Sequence, residues 1–583
     1  MTFRARATLL VAVICALGTL ARALDREAFT FTRYDLKLEV DPAKGTLAAS
    51  GTVQLRNDSN VPQSSVALQI SSTLQWMSIA EGDTGVPFLG QTYTSDIDHT
   101  GELSEAIATL SNPVVPKGSI TLRVSYRGTV PRKATRLTRI GAPAEYANAA
   151  EWDEITGTST AVRGIGYVTW FPVALTSANL SEGNTVLDAV AAWKARHSAT
   201  VFQVSLAVPQ TPAPGTPVGI RWNSTRISPC AVQKAICSAA TFNGFSSVPT
   251  FAVGPYETLE RPAVAVSFLA EHASIARDYA AATERWQPLV AEWFGPAANK
   301  VHVIELAEPS ATPFDSGAFV FTPLRPLDRT ALELAMVHQL AHAAIVSSRP
   351  WISEGLAHLM QAEVRERQAG RRGAIAYISQ FGRPLAEAEK GASTGGPDGR
   401  PGEHAVASQS LVTTSDPVYF RGKSVYVWWM LRDMLGAEAL QTAIRSYRAD
   451  QDTQPAYMQT LLEKSAGRTA QHNLEWFFDD WVYRDRGLPD FRIESAYPRK
   501  TLDGTYVVTV TVENLGKAGA EVPVTVSAAG GERSQRVLVH AGGKGVVRVQ
   551  MPQPPTRASV NDGSVPETDV GNNSIDIKIA QQQ

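Results

Sequence analysis

Residues Leu332 to Gln361 read LELAMVHQLAHAAIVSSRPWISEGLAHLMQ, and the reading of this stretch decides how the rest of the chain is understood. Its apolar residues recur at helical spacing on either side of a short break, which predicts two helices. Thr330 is expected to cap the first helix, with Glu333 as its capping-box partner. Pro350 suits the first turn of the second. His338 and His342 stand four apart, so on a helix both imidazoles lie on one face and reach a common ion. Glu354, early in the second helix, adds a carboxylate. Two imidazoles and one carboxylate form a recognised ligand set for zinc, with the fourth position left for water. His358, one turn after Glu354, reads as an outer partner or a surface residue. The bland alternative makes His338 a capping residue and His342 a satisfied core histidine.

At 583 residues, with 44% hydrophobic content, the chain is long enough for three or four structural units. Its formal net charge is only −2 and no basic run stands out, which argues against nucleic acid as a partner. Arg4 and Arg6, the apolar run Ala7 to Leu20 and the triplet Ala21-Arg22-Ala23 fit a secretory signal cleaved after Ala23. The expected location is therefore secreted or periplasmic. The apolar run is shorter than the roughly 20 residues a membrane span needs, and no later segment is apolar enough to serve as one. Cys15 falls in the signal. Cys230 and Cys237 read as a local disulfide in an oxidising compartment, or alternatively as two separately buried thiols.

Composition divides the chain into residues 1–23 (signal peptide), 24–260, 261–491 and 492–583. The second part alternates as half-buried strands do in YDLKLEV (Tyr34 to Val40), GTVQLRN (Gly51 to Asn57), SITLRVSYRG (Ser119 to Gly128) and TVFQVSLAVP (Thr200 to Pro209), closed by the Pro-rich PQTPAPGTP. The third mixes helices, beginning with His272 to Gly295, and buried strands at Lys300 to Glu308 and Gly317 to Leu324. Its Gly/Ser/Pro-rich stretch from Lys390 to Ser410 reads as a loop. The fourth returns to short strands, TYVVTVTVEN, EVPVTVSAAG and GVVRVQM. The expected fold class is multidomain α+β. Trp428, Trp429, Trp476, Phe477, Phe478 and Trp481 fall at helical spacing and are expected in the core.

In order of parts the chain resembles the membrane alanyl aminopeptidase family, the aminopeptidase N-type gluzincins. HQLAH stands for the family's HExxH, WISEGLA for WxxEGxA and YFRG (Tyr419 to Gly422) for YxKG. WFFDDWVYRDRGLP resembles its FFxxW segment, and TVFQVSLAVP a strand of its saddle domain. The resemblance implies an N-terminal β-saddle, a thermolysin-like α/β unit followed by helices, and a C-terminal β-sandwich. It also implies Zn2+ held by His338, His342 and Glu354, peptide or protein substrates, and a Tyr419 hydroxyl that stabilises the oxyanion; a packed tyrosine at a helix start is the simpler alternative.

Three departures qualify that picture. Gln339 occupies the position of the glutamate that takes a proton from water and passes it to the leaving amine. An amide cannot shuttle a proton, and loss of such a base costs on the order of 10² to 10⁴ in rate. The spacer from His342 to Glu354 is shorter than in the true aminopeptidases. GAFVF (Gly317 to Phe321) takes the place of GxMEN without its amine-gripping glutamate; read plainly, it is a buried edge strand. The leading expectation is a zinc-binding, peptide-binding peptidase homologue with hydrolysis reduced or lost. Two alternatives stay open: an active metallopeptidase with an unassisted or substituted base, and a non-catalytic secreted interaction protein.

Overall fold

The computed structural model describes residues 24–579 other than 158, 183–184, 210–217, 246, 297–298, 346, 348, 394–409, 415, 468–472 and 485. The expected signal peptide, most of the Pro-rich piece after Pro209 and residues 394–409 of the expected loop lie outside the described residues, while Lys390 to Ser393, read as the start of that loop, instead closes helix Gly382–Ser393. Those that are described form two compact units, one up to Pro255 and one from Tyr256 onward. The division falls after Pro255 because Glu257–Glu260 forms an antiparallel pair with Val264–Phe268, which ties it to the second unit.

The first unit is built on the alternating strands that the sequence predicts. Phe29–Asp41 lies at the centre of an eight-stranded sheet, antiparallel to Thr46–Asn57 and parallel to Val201–Pro209. Its inward residues Phe31, Tyr34, Leu36, Leu38 and Val40 are buried, while Asp35, Lys37 and Glu39 are exposed. Tyr34 can be buried because its hydroxyl donates to the Pro172 carbonyl at 2.7 Å, and its ring meets Phe202 at 5.0 Å. Cys230 and Cys237 are bonded, with Cα atoms 5.1 Å apart, as the disulfide reading expects.

The second unit opens on a five-stranded sheet in the order Glu257–Glu260, Val264–Phe268, Val301–Glu305, Phe319–Thr322, Phe314–Ser316. Helix Ala273–Phe294 ends at Gly295, whose φ of 83° suits glycine. GAFVF is not the edge strand expected from its sequence. Phe319–Thr322 runs parallel to Val301–Glu305 on one side and antiparallel to Phe314–Ser316 on the other, and the latter is the edge. Gly317, at φ 60°, makes this two-residue turn possible.

The HQLAH helix spans Arg329–Ala344 and is capped by Asp328, whose carboxylate accepts from the Ala331 amide at 3.0 Å. Thr330 is therefore not the cap. Glu333 instead takes hydrogen bonds from Arg329 and Gln368, both at 2.8 Å. The second helix begins at Pro350 and runs to Ile378, broken at Ala369 and Gly370. Helices Ser424–Leu435, Ala437–Ser446 and Tyr457–Ala466 follow. Trp428, Trp429, Phe477, Phe478 and Trp481 are fully buried, as expected of a core cluster; Trp476 is partly buried. Beyond Phe491 two sheets of three and four strands complete the unit. Among the described residues no helix is long and apolar enough to cross a membrane.

Candidate metal centre

Described residues of the connection between the two motif helices are tied to Tyr447 and Asp452. Arg349 donates to both oxygens of Asp452 at 2.8 Å, and the Ser347 hydroxyl meets the Tyr447 hydroxyl at 2.8 Å. Pro350 then starts the next helix with a preset φ and no amide to satisfy. On the far side Gly355 lets that helix approach its neighbour: a Cβ there would lie 2.6 Å from Trp428 and 2.8 Å from the Ser424 hydroxyl. The Trp428 indole in turn donates to the Trp351 carbonyl at 3.0 Å. Glu354 is thus aimed at the HQLAH helix by a turn on one side and a glycine contact on the other.

The result is a convergence of three ligand atoms. His338 Nε2 and His342 Nε2 are 3.0 Å apart, His342 Nε2 lies 3.5 Å from Glu354 Oε1, and His338 Nε2 lies 3.8 Å from Glu354 Oε2. For metal–ligand bonds of 2.0–2.1 Å, the edge of a tetrahedron is about 3.4 Å, and the three distances bracket it. The side chains keep 12%, 8% and 16% of their exposure, so the cluster is largely withdrawn from solvent. Among the described residues this is the group of histidines, cysteines and carboxylates that could hold a metal ion.

The surroundings suit a metal more than they suit the histidines alone. Burial first, then the neighbouring His342, His358 and Arg421, hold His338 well below the usual imidazole range, so the ring is neutral. Its Nδ1 faces Gln361 Oε1 at 3.4 Å, and Gln361 is itself oriented by donating to the Leu334 carbonyl at 3.0 Å. That places the proton of His338 on Nδ1 and leaves a lone pair on Nε2. Glu354 Oε2 accepts from Arg421 at 3.0 Å, which orients the carboxylate from behind. His358 lies outside the ligand set: its Nδ1 meets Gln361 at 2.8 Å and the Tyr377 hydroxyl at 2.9 Å, and burial lowers its pKa to about 4. Gln361→Leu is expected to weaken zinc affinity about 10- to 100-fold, measured by competition with a chromogenic chelator; unchanged affinity would remove Gln361 from the site.

Gln339 is buried beside His338. Its Nε2 donates to Asp315 on the edge strand, so its Oε1 points the other way and has no hydrogen-bond partner. Such a buried acceptor fits a site that receives a water molecule. Asp315 belongs to no motif read from the sequence. Its clearest signal is the Asp-Ser-Gly run ahead of GAFVF, a hairpin mark that reveals the extra strand. Tyr419 is buried in a π-helical turn, Val418–Lys423, with its ring 5.9 Å from the Lys423 ammonium. From this turn it is Arg421 that reaches the ligand set.

This fold is similar to that of the M1 zinc metallopeptidase from Deinococcus radiodurans, with a TM-score of 0.50 and 15% identity, covering 80% of this chain and 96% of that one. A mutant of that enzyme bound to a Tyr-Ser-Ala substrate is 16% identical over the same shares, with a TM-score of 0.48. No protein-family model and no curated protein matches the chain. The likeness establishes a multidomain α+β peptidase-like fold.

Proposed function

We propose that this protein is a zinc-binding homologue of the M1 metallopeptidases that holds peptides outside the cytoplasm and hydrolyses them weakly. The observation that carries the reading is the meeting of His338, His342 and Glu354 at distances suited to one tetrahedral ion. When bound, zinc would polarise a peptide carbonyl and acidify water. The chain's own residues prepare for this: Gln361 sets the tautomer of His338, Arg421 holds Glu354, and Gln339 Oε1 offers a hydrogen-bond acceptor to the incoming water. Tyr419 remains the proposed oxyanion donor, on the ground that its turn also supplies Arg421 to the ligand carboxylate. The disulfide supports an oxidising compartment, secreted or periplasmic, after removal of the signal at Ala23.

The substituted-base alternative gains from the contact between Gln339 and Asp315. The test is elemental analysis of the purified full chain, followed by titration of an unblocked Tyr-Ser-Ala peptide with and without 1,10-phenanthroline. One zinc per chain and peptide binding lost on chelation are expected. A protein that takes up no zinc at neutral pH overturns the reading.

A further inference from the structure

Asp315 and Val320, the fourth residue of GAFVF, are cross-strand partners in the hairpin. Directly opposed residues of an antiparallel pair project from the same face, with Cβ atoms roughly 4.5–5.5 Å apart. The hairpin therefore carries a carboxylate one strand over from a position filled by valine, on the face that meets the HQLAH helix. There Asp315 Oδ1 accepts from Gln339 Nε2. Asp315 is exposed on this edge strand. A carboxylate so placed has one oxygen held by the amide and a second oxygen that this bond does not use.

We infer that Asp315 is the proton acceptor of this site, supplied from the edge strand in place of the carboxylate that residue 339 lacks. The inference rests on the metal-and-peptide reading above and assigns its residual hydrolysis to a residue. The step balances within the chain. Water beside Asp315 forms a C–O bond to the peptide carbonyl carbon as one of its protons passes to the Asp315 oxygen that Gln339 does not hold, and the carbonyl π pair moves onto its oxygen. Collapse of the tetrahedral adduct breaks the C–N bond, and the proton moves from Asp315 to the leaving nitrogen. Asp315 ends ionised, as it began, and only water is consumed.

The electrostatics support this placement. Desolvation by the surrounding protein pushes the Asp315 carboxyl above the usual carboxylate range; Glu354 acts in the same direction, while His342, Arg421 and the Gln339 hydrogen bond oppose it. Since the acceptor works in its ionised form, hydrolysis should fall on the acid side as Asp315 takes up a proton and level off once it is ionised.

The test uses the zinc-loaded full chain with Asp315→Asn, Gln339→Glu and the double variant, assayed on an unblocked alanine tripeptide across pH 5 to 8. Asp315→Asn should lower kcat/KM on the order of 10² to 10⁴ and remove the acid limb of the pH profile while keeping one zinc per chain. Gln339→Glu in the Asp315→Asn background should restore hydrolysis, a rescue that a purely structural aspartate would not permit. Zinc content and the thermal unfolding midpoint, read on the same samples, separate loss of the carboxylate from loss of the fold. If Asp315→Asn unfolds, Asp315→Ser takes its place under the same criteria. The inference is overturned if the zinc-loaded variant stays within about threefold of the parent. It is also overturned if the zinc-loaded parent binds peptide yet shows no hydrolysis above the background of zinc in buffer. That last result would leave the metal-and-peptide reading standing, whereas failure to take up zinc would remove both.

Discussion

Gln339→Glu is expected to raise tripeptide hydrolysis on the order of 10²-fold at pH 8, with no change in zinc content. The gain follows from placing a group that can accept and return a proton beside His338, where the parent has an amide that can do neither. Glutamate is nearly isosteric with glutamine, so the ligand geometry set by His338, His342 and Glu354 should survive. The new carboxylate would meet Asp315 at hydrogen-bonding distance, and two like charges that close cannot both ionise freely. The pair should therefore titrate in two apparent steps, and the pH profile of the variant should broaden toward the alkaline side. No gain in rate with zinc in place would mean that the recess does not hold water against the scissile bond.

His342→Ala should abolish stoichiometric zinc binding. Outer-shell partners of a metal site cost about 10- to 100-fold in affinity when removed, and loss of one of three protein ligands must exceed that. Removing His342 also takes away the closest approach to Glu354 Oε1, at 3.5 Å, and leaves that carboxylate with Arg421 as its main partner. Elemental analysis after dialysis against excess zinc reads the result directly. Retention of one zinc per chain would mean that the ligand set lies elsewhere and would leave the centre described here without a function.

Much of this molecule could be read from the sequence because its signals are local. Two-residue alternation marks the strands of the first unit, and four-residue spacing brings His338 and His342 onto one face; both follow from backbone geometry alone. The disulfide was legible because seven residues separate its cysteines. The helix cap was misread by two positions, since Asp328 and Thr330 are both competent caps and only the path of the chain leaving Thr322 chooses between them. GAFVF was misread as an edge because an apolar run does not reveal how many neighbours it has, and the three-residue strand outside it is too short to show a period.

By itself the sequence determined the α+β class, the two-histidine helix, the glutamate offered by the next helix and the absence of a carboxylate at position 339. Only the tertiary structure decided that Glu354 meets both histidines, that Arg421 touches the ligand carboxylate, and that Asp315 stands against Gln339. The reason is physical. Periodicity along a chain states which side chains share a face, whereas the contacts that make a site depend on strand register and helix crossing, which join residues 24 or 67 positions apart.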